Sequence, residues 1–181
     1  MLDNRRSRFA VDTRTQARVG HDMYTGSGYD RGHMAPNYAL GVCYGAEAQR
    51  QTFLMSNVCP QDPALNRGLW AAFEQTIARK YTAAFEEIWV VVGPIFDEER
   101  MCFPSGVEIP DAFFMIVVDV LDGTPRFLAF VVPNVTPVGK DAVAFLASVD
   151  EVERLSGFDF FWELDDAVED ALESVVPSAV W

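Results

Sequence analysis

The sequence has few features typical of a membrane protein or of a small secreted domain held together by disulfide bonds. The 181 residues include three cysteines and two histidines. No apolar run reaches the length of a bilayer span, because Pro94, Asp119 and Pro133 interrupt the longest candidates. The first six residues, Met-Leu-Asp-Asn-Arg-Arg, lead into no apolar stretch and so are not typical of a secretory signal. The sequence therefore predicts a globular protein without a membrane span.

The cysteines are too few for a disulfide framework. Cys43, Cys59 and Cys102 are an odd number, and they form neither a CxxC pair nor a zinc-ligand spacing. One disulfide with a free thiol and three buried thiols both remain open at this stage.

Positive charge is also scarce. Asp and Glu number 27 against 14 Lys and Arg, which gives a formal net charge of −13. This balance argues against binding to a polyanion through a broad basic surface. The cations are nearly all arginines, which suits bidentate phosphate contacts, although a coding bias would explain them equally well. Many of them lie near the start of the chain: Arg5, Arg6, Arg8, Arg14, Arg18 and Arg31. In residues 141–181 Arg154 is the one Arg or Lys.

Hydrophobic residues make up 50% of the chain, enough for the core of one globular domain. Apolar patterns predict strands at residues 29–33, 53–58, 88–92, 112–120 and 126–132, and helices at 46–51, 66–84 and 162–174. The capping box Ser148-Val-Asp-Glu151 predicts a further short helix that ends at Gly157. Prolines at 60 and 63 predict a loop, and Asp122-Gly123 predicts a hairpin. The run at 88–92 is typical of a strand covered on both faces. We expect an α+β fold with a mixed, mostly antiparallel central sheet and helices packed on it.

Chemistry-bearing residues concentrate between residues 25 and 74. Gly26, Gly28 and Gly32 allow the chain to turn sharply just before His33. A histidine near neutral pH can act as general base on water, and Arg31 can neutralise charge on a phosphodiester. In isolation, a histidine next to glycine is more often a turn or core residue.

Three later polar residues could complete a metal-assisted site. Mg²⁺ prefers oxygen ligands and keeps several waters, so the carbonyl oxygen of Asn66 is the candidate ligand. Glu74 lies two turns along the same predicted helix and could hold water on the metal. Asn57 could hold the His33 ring or the helix cap by hydrogen bonds. The plain alternatives are a helix cap for Asn66, a solvated carboxylate for Glu74 and a turn residue for Asn57.

Other residues in and around these patches have structural explanations. Asp30 is expected to be a carboxylate that anchors its neighbours, and His21 is expected to be incidental. The aromatic residues are assigned to the core rather than to base stacking: Trp70, Phe73, Trp89, Phe113, Phe114, Phe160, Phe161 and Trp162.

Four blocks of sequence, in this order, carry a family resemblance. They are Gly-Ser-Gly-Tyr-Asp30-Arg-Gly-His33-Met-Ala-Pro; Ser-Asn57-Val-Cys-Pro-Gln with Leu-Asn66-Arg-Gly-Leu-Trp and Glu74; Val-Gly-Pro-Ile-Phe at 92–96; and residues 149–161. Together they resemble the DNA/RNA non-specific endonucleases, the ββα-metal or His-Me finger nucleases that include mitochondrial endonuclease G and the secreted Serratia-type enzyme. The resemblance covers residues 5–175.

The resemblance implies a ββα-metal motif and a Mg²⁺-dependent, sequence-non-specific endonuclease of DNA and RNA, with Mn²⁺ as an alternative ion. It implies His33 as general base, Asn66 as metal ligand and Arg31 as a phosphate contact. It implies that Glu74 orders water on the metal and that Asn57 supports the site. It also implies an upstream arginine on the phosphate, for which Arg5, Arg6 and Arg8 are candidates and spacing favours Arg5.

Two departures from the family pattern keep a second class open. Family members usually carry further strands ahead of the arginine-rich stretch, so residues 1–181 are expected to form a single nuclease domain without them. Truncation, an upstream start and completion by a partner chain all fit. The acidity motivates the alternative, a non-catalytic interaction protein or partner-dependent subunit whose acidic C-terminal face binds a partner. The resemblance also brings a homodimer, a protein inhibitor and a secreted, periplasmic or mitochondrial location into consideration.

Overall fold

The computed structural model describes residues 8–85, 87–121, 123–136 and 139–181. Within these ranges every paired strand is antiparallel, and the strands form two sheets beside packed helices. The expected α+β class is confirmed. A two-stranded sheet contains β1 (Asp30–His33) and β2 (Val58–Gln61), and a four-stranded sheet has the order β3 (Ile88–Ile95), β4 (Ala112–Leu121), β5 (Thr124–Pro133), β6 (Leu146–Ala147).

The large sheet separates two hydrophobic cores. Successive β4 side chains point to opposite faces, so Phe113 and Met115 enter one core while Phe114 and Ile116 enter the other. The first core contains the buried side of a long helical stretch, and the second contains α5 (Val149–Ser156). Helices therefore cover both faces of the large sheet.

The helical stretch at residues 63–84, here called the site helix, is interrupted by wider turns. It comprises α2 (Pro63–Leu65), α3 (Ala71–Thr76) and α4 (Thr82–Ala84), joined by π-helical turns at Asn66–Trp70 and Ile77–Tyr81. Its cap is Asp62, whose carboxylate accepts from the backbone N–H groups of Ala64 and Leu65. The prediction that Asn66 caps this helix is therefore wrong. The helix begins earlier, at Pro63, and proline is favoured at the first position of a helix because the backbone N–H that it lacks would have no partner there.

Two sequence-based assignments around the site need correction. The strand predicted at 53–58 is wrong, since Met55–Asn57 form a 3₁₀ turn and β2 begins only at Val58. Pro60 lies in β2 rather than in a loop, which is tolerated because both strands of a two-stranded sheet are edges. The helix predicted at 46–51 is longer: α1 (Asn37–Gln51) bends at Gly45, whose φ of 86° lies in the left-handed region.

Two aromatic residues that the sequence assigned to the core lie on the surface. β3 is an edge strand, so Trp89 is 48% exposed instead of covered on both faces. Trp162 is 66% exposed and is not a core residue. The core assignment is confirmed for Trp70, Phe73, Phe113 and Phe114, and Phe160 and Phe161 pack half-buried against the second core.

The C-terminal part follows its capping signals. Ser148 caps α5 by accepting from the N–H of Glu151, and Gly157 ends it with a φ of 73°. α6 (Asp166–Glu173) is shorter than the predicted helix at 162–174. β4 and β5 form the predicted hairpin, although Asp122 lies outside the described residues. Within the described ranges, none of the helices combines the length and the apolar character that crossing a bilayer requires.

Candidate active site

β1 and β2 hold the first sequence patch against the second. Their register pairs Asp30 with Gln61 and His33 with Val58. Between these pairs the Gln61 side chain lies directly over Gly32, where an added Cβ would come within 2.3 Å of Gln61 Oε1. Gly32 is therefore required by close packing, and the two-residue spacing from Arg31 to His33 is fixed by the strand.

His33 is the last residue of β1 and is half-buried. Its ring lies 5.3 Å from the Phe9 ring and 5.5 Å from the Phe53 ring, measured between centroids. Its Nε2 atom is buried without a hydrogen-bond partner among the described residues. Burial lowers the pKa of His33 from 6.5, because a charged imidazolium loses more hydration than a neutral ring. His33 is thus held neutral, the form that accepts a proton.

Asn57 clamps the backbone that follows His33. Its Oδ1 accepts from the N–H of Ala35 at 2.9 Å, and its Nδ2 donates to the carbonyl of Ala35 at 3.0 Å and to that of Thr52 at 3.1 Å. The backbone carbonyl of Asn57 also accepts from the N–H of Met34. The expectation that Asn57 holds the His33 ring or the helix cap is wrong, because its whole amide is committed to backbone groups.

Asp30 joins β1 to the site helix. Its Oδ2 accepts from Asn66 Nδ2 at 2.9 Å, and Arg67 donates to both carboxylate oxygens at 2.8 and 2.7 Å. The Arg67 hydrogen bonds are the main cause that lowers the pKa of Asp30. The expected anchoring role of Asp30 is seen directly, and Arg67 is a partner that the sequence reasoning missed.

Asn66 fits the role of a ligand for a hard cation. Because its amide nitrogen is committed to Asp30, the carbonyl oxygen faces away from that carboxylate. That oxygen has no hydrogen bond to a described residue. An amide oxygen fixed in direction by a second polar group is the kind of ligand that Mg²⁺ takes.

Glu74 lies further along the site helix, on the same side as the segment after His33. It lines a cavity of about 310 Å³ together with Met34, Ala35 and Pro36. Burial against these mostly apolar walls raises the pKa of Glu74 to about 7. Glu74 is half-buried in this cavity rather than fully exposed on the helix surface.

Arg31 is positioned by the turn that precedes β1. Its Nε donates to the backbone carbonyl of His21 at 3.2 Å, its Nη2 donates to the same oxygen, and the guanidinium lies 5.3 Å from the Tyr24 ring centre. His21 therefore contributes through its backbone, although its side chain is exposed. These contacts leave Nη1 of Arg31 without a partner among the described residues.

The upstream arginines are placed only in part. Arg5 and Arg6 lie outside the described residues. Arg8 is exposed and lines a surface cavity of about 330 Å³ with Arg14 and Arg50. Phe53, which packs on His33, lines the same cavity, so this arginine-lined surface borders the His33 pocket.

Two further residues that build the site had weak signals in the sequence. Asp12 is buried and accepts from Ser56 Oγ at 2.7 Å and from the Arg14 side chain, which ties the chain ahead of β1 to the 3₁₀ turn. Asn134 is 2% exposed and joins β2 to the large sheet, donating to the carbonyls of Pro60 and Pro110. Their roles depend on contacts far apart in sequence, so no local pattern marks them.

Comparison with known families agrees with this geometry. The model of the DNA/RNA non-specific endonuclease family matches residues 2–167. The chain belongs to the DNA/RNA non-specific endonuclease family.

Curated relatives carry nuclease names. The chain is 34% identical over 169 residues to "Nuclease" of Nostoc sp., covering 88% of this chain and 60% of that protein. It is 34% identical over 163 residues to "Nuclease 1, mitochondrial" of Schizosaccharomyces pombe, covering 80% and 49%. It is 30% identical over 174 residues to human "Endonuclease G, mitochondrial", covering 87% and 57%. The chain thus spans about half to three fifths of these relatives' length.

A solved structure shares the fold. The crystal structure of an EndoG/EndoGI complex contains a chain that superposes with a TM-score of 0.74 at 24% sequence identity, covering 91% of this chain and 75% of that one. The expected nuclease fold is confirmed.

Proposed function

We propose that this protein is a Mg²⁺-dependent, sequence-non-specific endonuclease that hydrolyses phosphodiester bonds of DNA and RNA. The observation that carries the proposal is the linkage through Asp30. Asp30 is the first residue of the strand that ends at His33. Its carboxylate accepts a hydrogen bond from the side-chain amide of Asn66 on the site helix and so fixes the orientation of that amide. A candidate base and a candidate metal ligand are thereby fixed to one rigid ββα unit.

His33 is the proposed general base. A neutral imidazole takes a proton from the attacking water while the water oxygen forms a bond to phosphorus. The bond from phosphorus to the leaving 3′ oxygen breaks, and the product keeps a 5′-phosphate. The aromatic walls around His33 support this role because they keep the imidazole neutral and restrict its rotation.

Asn66 would present its carbonyl oxygen to Mg²⁺, with Mn²⁺ as the alternative, and the ion supplies positive charge against the developing negative charge of the transition state. Glu74 would accept hydrogen bonds from water in this region. Its place in the cavity beside the segment that follows His33 supports this role.

Arg31 is the proposed phosphate contact. The carbonyl of His21 and the Tyr24 ring hold the guanidinium in place, so little conformational entropy is lost when Nη1 donates to a phosphate oxygen. Arg5 remains a prediction for a second phosphate contact. Arg8, in the arginine-lined cavity, is a described candidate for the same task.

The deciding experiment is cleavage of supercoiled plasmid and of a structureless RNA by the purified chain. We expect nicking with Mg²⁺, its loss in EDTA, and its loss in His33→Ala while the circular dichroism spectrum stays unchanged. Asn66→Ala should lose activity and require far more Mg²⁺ to recover any of it. An active His33→Ala protein would overturn the proposal.

A folded wild-type chain that cleaves neither substrate would instead favour the non-catalytic class. The abundance of Asp and Glu after residue 141 is the observation behind that alternative. Arg31→Ala separates the two further. Under the endonuclease proposal this substitution weakens cleavage. In a non-catalytic protein that binds a partner through its acidic C-terminal face, the substitution would leave partner binding unchanged.

A further inference from the structure

Three carboxylates from two helices meet away from the candidate active site. Asp150 and Glu153 lie one turn apart on α5, and Glu173 is the last residue of α6. Each offers an oxygen, and these oxygens all lie within 4.8 Å of one another. Like charges at this separation repel unless a proton or a cation lies between them.

Glu173 is the unusual member of this cluster. It is 4% exposed, and its Oε1 atom is buried without a hydrogen-bond partner among the described residues. A carboxylate oxygen buried without a partner is costly, so the position calls for a ligand. The other two carboxylates supply acceptors and no donor, and a cation would satisfy this oxygen and also offset the negative charge of all three groups.

No cationic side chain of the described residues fills this need. Arg154, on the same helix α5, donates both of its hydrogen bonds to Glu151 on another side of the helix. Glu169 and Asp159 add further negative charge around Glu173. Burial, reinforced by these carboxylates, raises the pKa of Glu173 to about 8.

We propose that Asp150, Glu153 and Glu173 form a calcium site that joins α5 to α6. The site is structural, since α5 packs in the second core while the site helix packs in the first, on the opposite face of the large sheet. The ion would be coordinated by carboxylates from both helices, and its charge would offset the repulsion between them.

The donor set favours Ca²⁺ over other ions. Ca²⁺ takes about six to eight oxygen ligands in flexible geometry, which suits carboxylates brought together from two helices and completed by water. Mg²⁺ requires near-octahedral geometry and gives up its waters reluctantly, so a cluster of protein carboxylates is less typical of it. Zn²⁺ prefers nitrogen or sulfur ligands, and this cluster offers neither. Asp150 is exposed, which leaves room for the waters that complete a calcium shell.

The test is calcium binding to the full chain after removal of metal with EDTA and dialysis. Wild type, Glu173→Gln, Asp150→Asn and Asp170→Asn are compared by equilibrium dialysis with ⁴⁵Ca²⁺ and by thermal unfolding at constant ionic strength. Asp170→Asn is the matched control, because it removes one exposed charge from the same helix α6. An Asn66→Ala background separates this site from the candidate active site.

We expect one calcium equivalent that persists in Asn66→Ala and in the control but is lost in Glu173→Gln and in Asp150→Asn. Calcium should raise the Tm of wild type and of the control, and not that of the two site variants. The Tm increase should be larger at pH 9 than at pH 6. At pH 6 a proton on Glu173 competes with the ion, with Asp150, Glu153, Glu169 and Asp159 as the facing carboxylates.

A proton in place of calcium would give the opposite pattern. Wild type would then bind no calcium beyond what Asn66→Ala removes, and calcium would leave its Tm unchanged. Glu173→Gln would be more stable than wild type at pH 9 without calcium, since a neutral amide mimics the protonated acid. Either result would overturn the proposal, and Asp150→Asn keeps the test valid even if Glu173→Gln folds poorly.

Discussion

Asn66 donates its side-chain amide to the carboxylate of Asp30 at 2.9 Å. This bond crosses from the first residue of β1 to the first wide turn of the site helix. It fixes which way the amide faces and leaves the carbonyl oxygen of Asn66 without a hydrogen bond to any described residue. The aspartate of the Asp-Arg-Gly-His motif therefore acts on the second sequence patch rather than on its neighbour His33.

Asp30→Ala should lower cleavage by about 10- to 100-fold, the usual cost of losing a group that orients a metal ligand. The Mg²⁺ concentration for half-maximal activity should rise, because the Asn66 amide can then rotate. Asp30→Asn should recover part of the loss, since its carbonyl oxygen can still accept from Asn66. Activity measured across a Mg²⁺ titration, with the Tm of each variant, checks this.

Arg67→Ala is the matched control for Asp30. It removes the salt bridge to the same carboxylate and keeps the Asn66 hydrogen bond. Arg67 is 72% exposed, so its loss should change stability little. If Arg67→Ala and Asp30→Ala shifted the Mg²⁺ requirement equally, the orienting role of Asp30 would be wrong.

The acidic limb of the pH–rate profile should lie below pH 6.5. Burial lowers the pKa of His33, so the neutral base persists at a pH where an ordinary histidine is half protonated. Phe53→Ala should open the aromatic pocket and move that limb back toward 6.5. NMR titration of the imidazole in a His21→Gln variant, which leaves one histidine, checks the pKa directly. An unchanged limb in Phe53→Ala would contradict this explanation.

Local patterns predicted the parts of the fold that local physics decides. The Ser148 cap, the Gly157 terminus and the β4–β5 hairpin depend on neighbouring residues, and the structure places them as expected. The strand predicted at 53–58 is wrong, because an apolar run alone does not show which strand it would pair with. β2 is instead defined by its pairing with β1, and this pairing starts at Val58.

The candidate active site was likewise predictable only in part. The types of the residues His33, Asn66 and Glu74 suggested the chemistry, but their surroundings could not be read from the sequence. The orientation of Asn57 toward Ala35 and the link from Asp30 to Asn66 join residues more than 20 positions apart. Such links appear only once the strands and the site helix are packed together.

Glu74 should make the free energy of unfolding depend on pH. Its folded pKa of about 7 lies above the ordinary value of 4.5, so the folded state binds the proton more tightly. The resulting stabilisation is fully present below pH 4.5 and is lost as the pH rises through about 7. Glu74→Gln should therefore gain stability relative to wild type across that interval. Urea unfolding in EDTA at several pH values measures it, with the exposed Glu98→Gln as control.

The three cysteines should differ in reactivity. All three are free in the structure, and Cys43 and Cys102 are exposed, which excludes the arrangement with three buried thiols. Burial raises the pKa of Cys59 to about 12, and the thiolate is the reactive form. A disulfide reagent at pH 8 should release two equivalents rapidly and the third only after unfolding. Rapid release of three equivalents, or of one, would contradict the prediction.

Gly32→Ala should destabilise the ββα unit by about 1–3 kcal/mol, the usual cost of overpacking. The added Cβ would meet Gln61 Oε1 at 2.3 Å and Gln61 Cβ at 2.7 Å, and Gln61 is fully buried and has little room to move. Gln61→Ala removes Oε1 but keeps the Cβ at 2.7 Å, so the double variant should recover part of the loss and be more stable than the sum of the two single changes predicts. Chemical unfolding of all four proteins gives this coupling. If the two changes were simply additive, contact with Gln61 would not be the reason for glycine between Arg31 and His33.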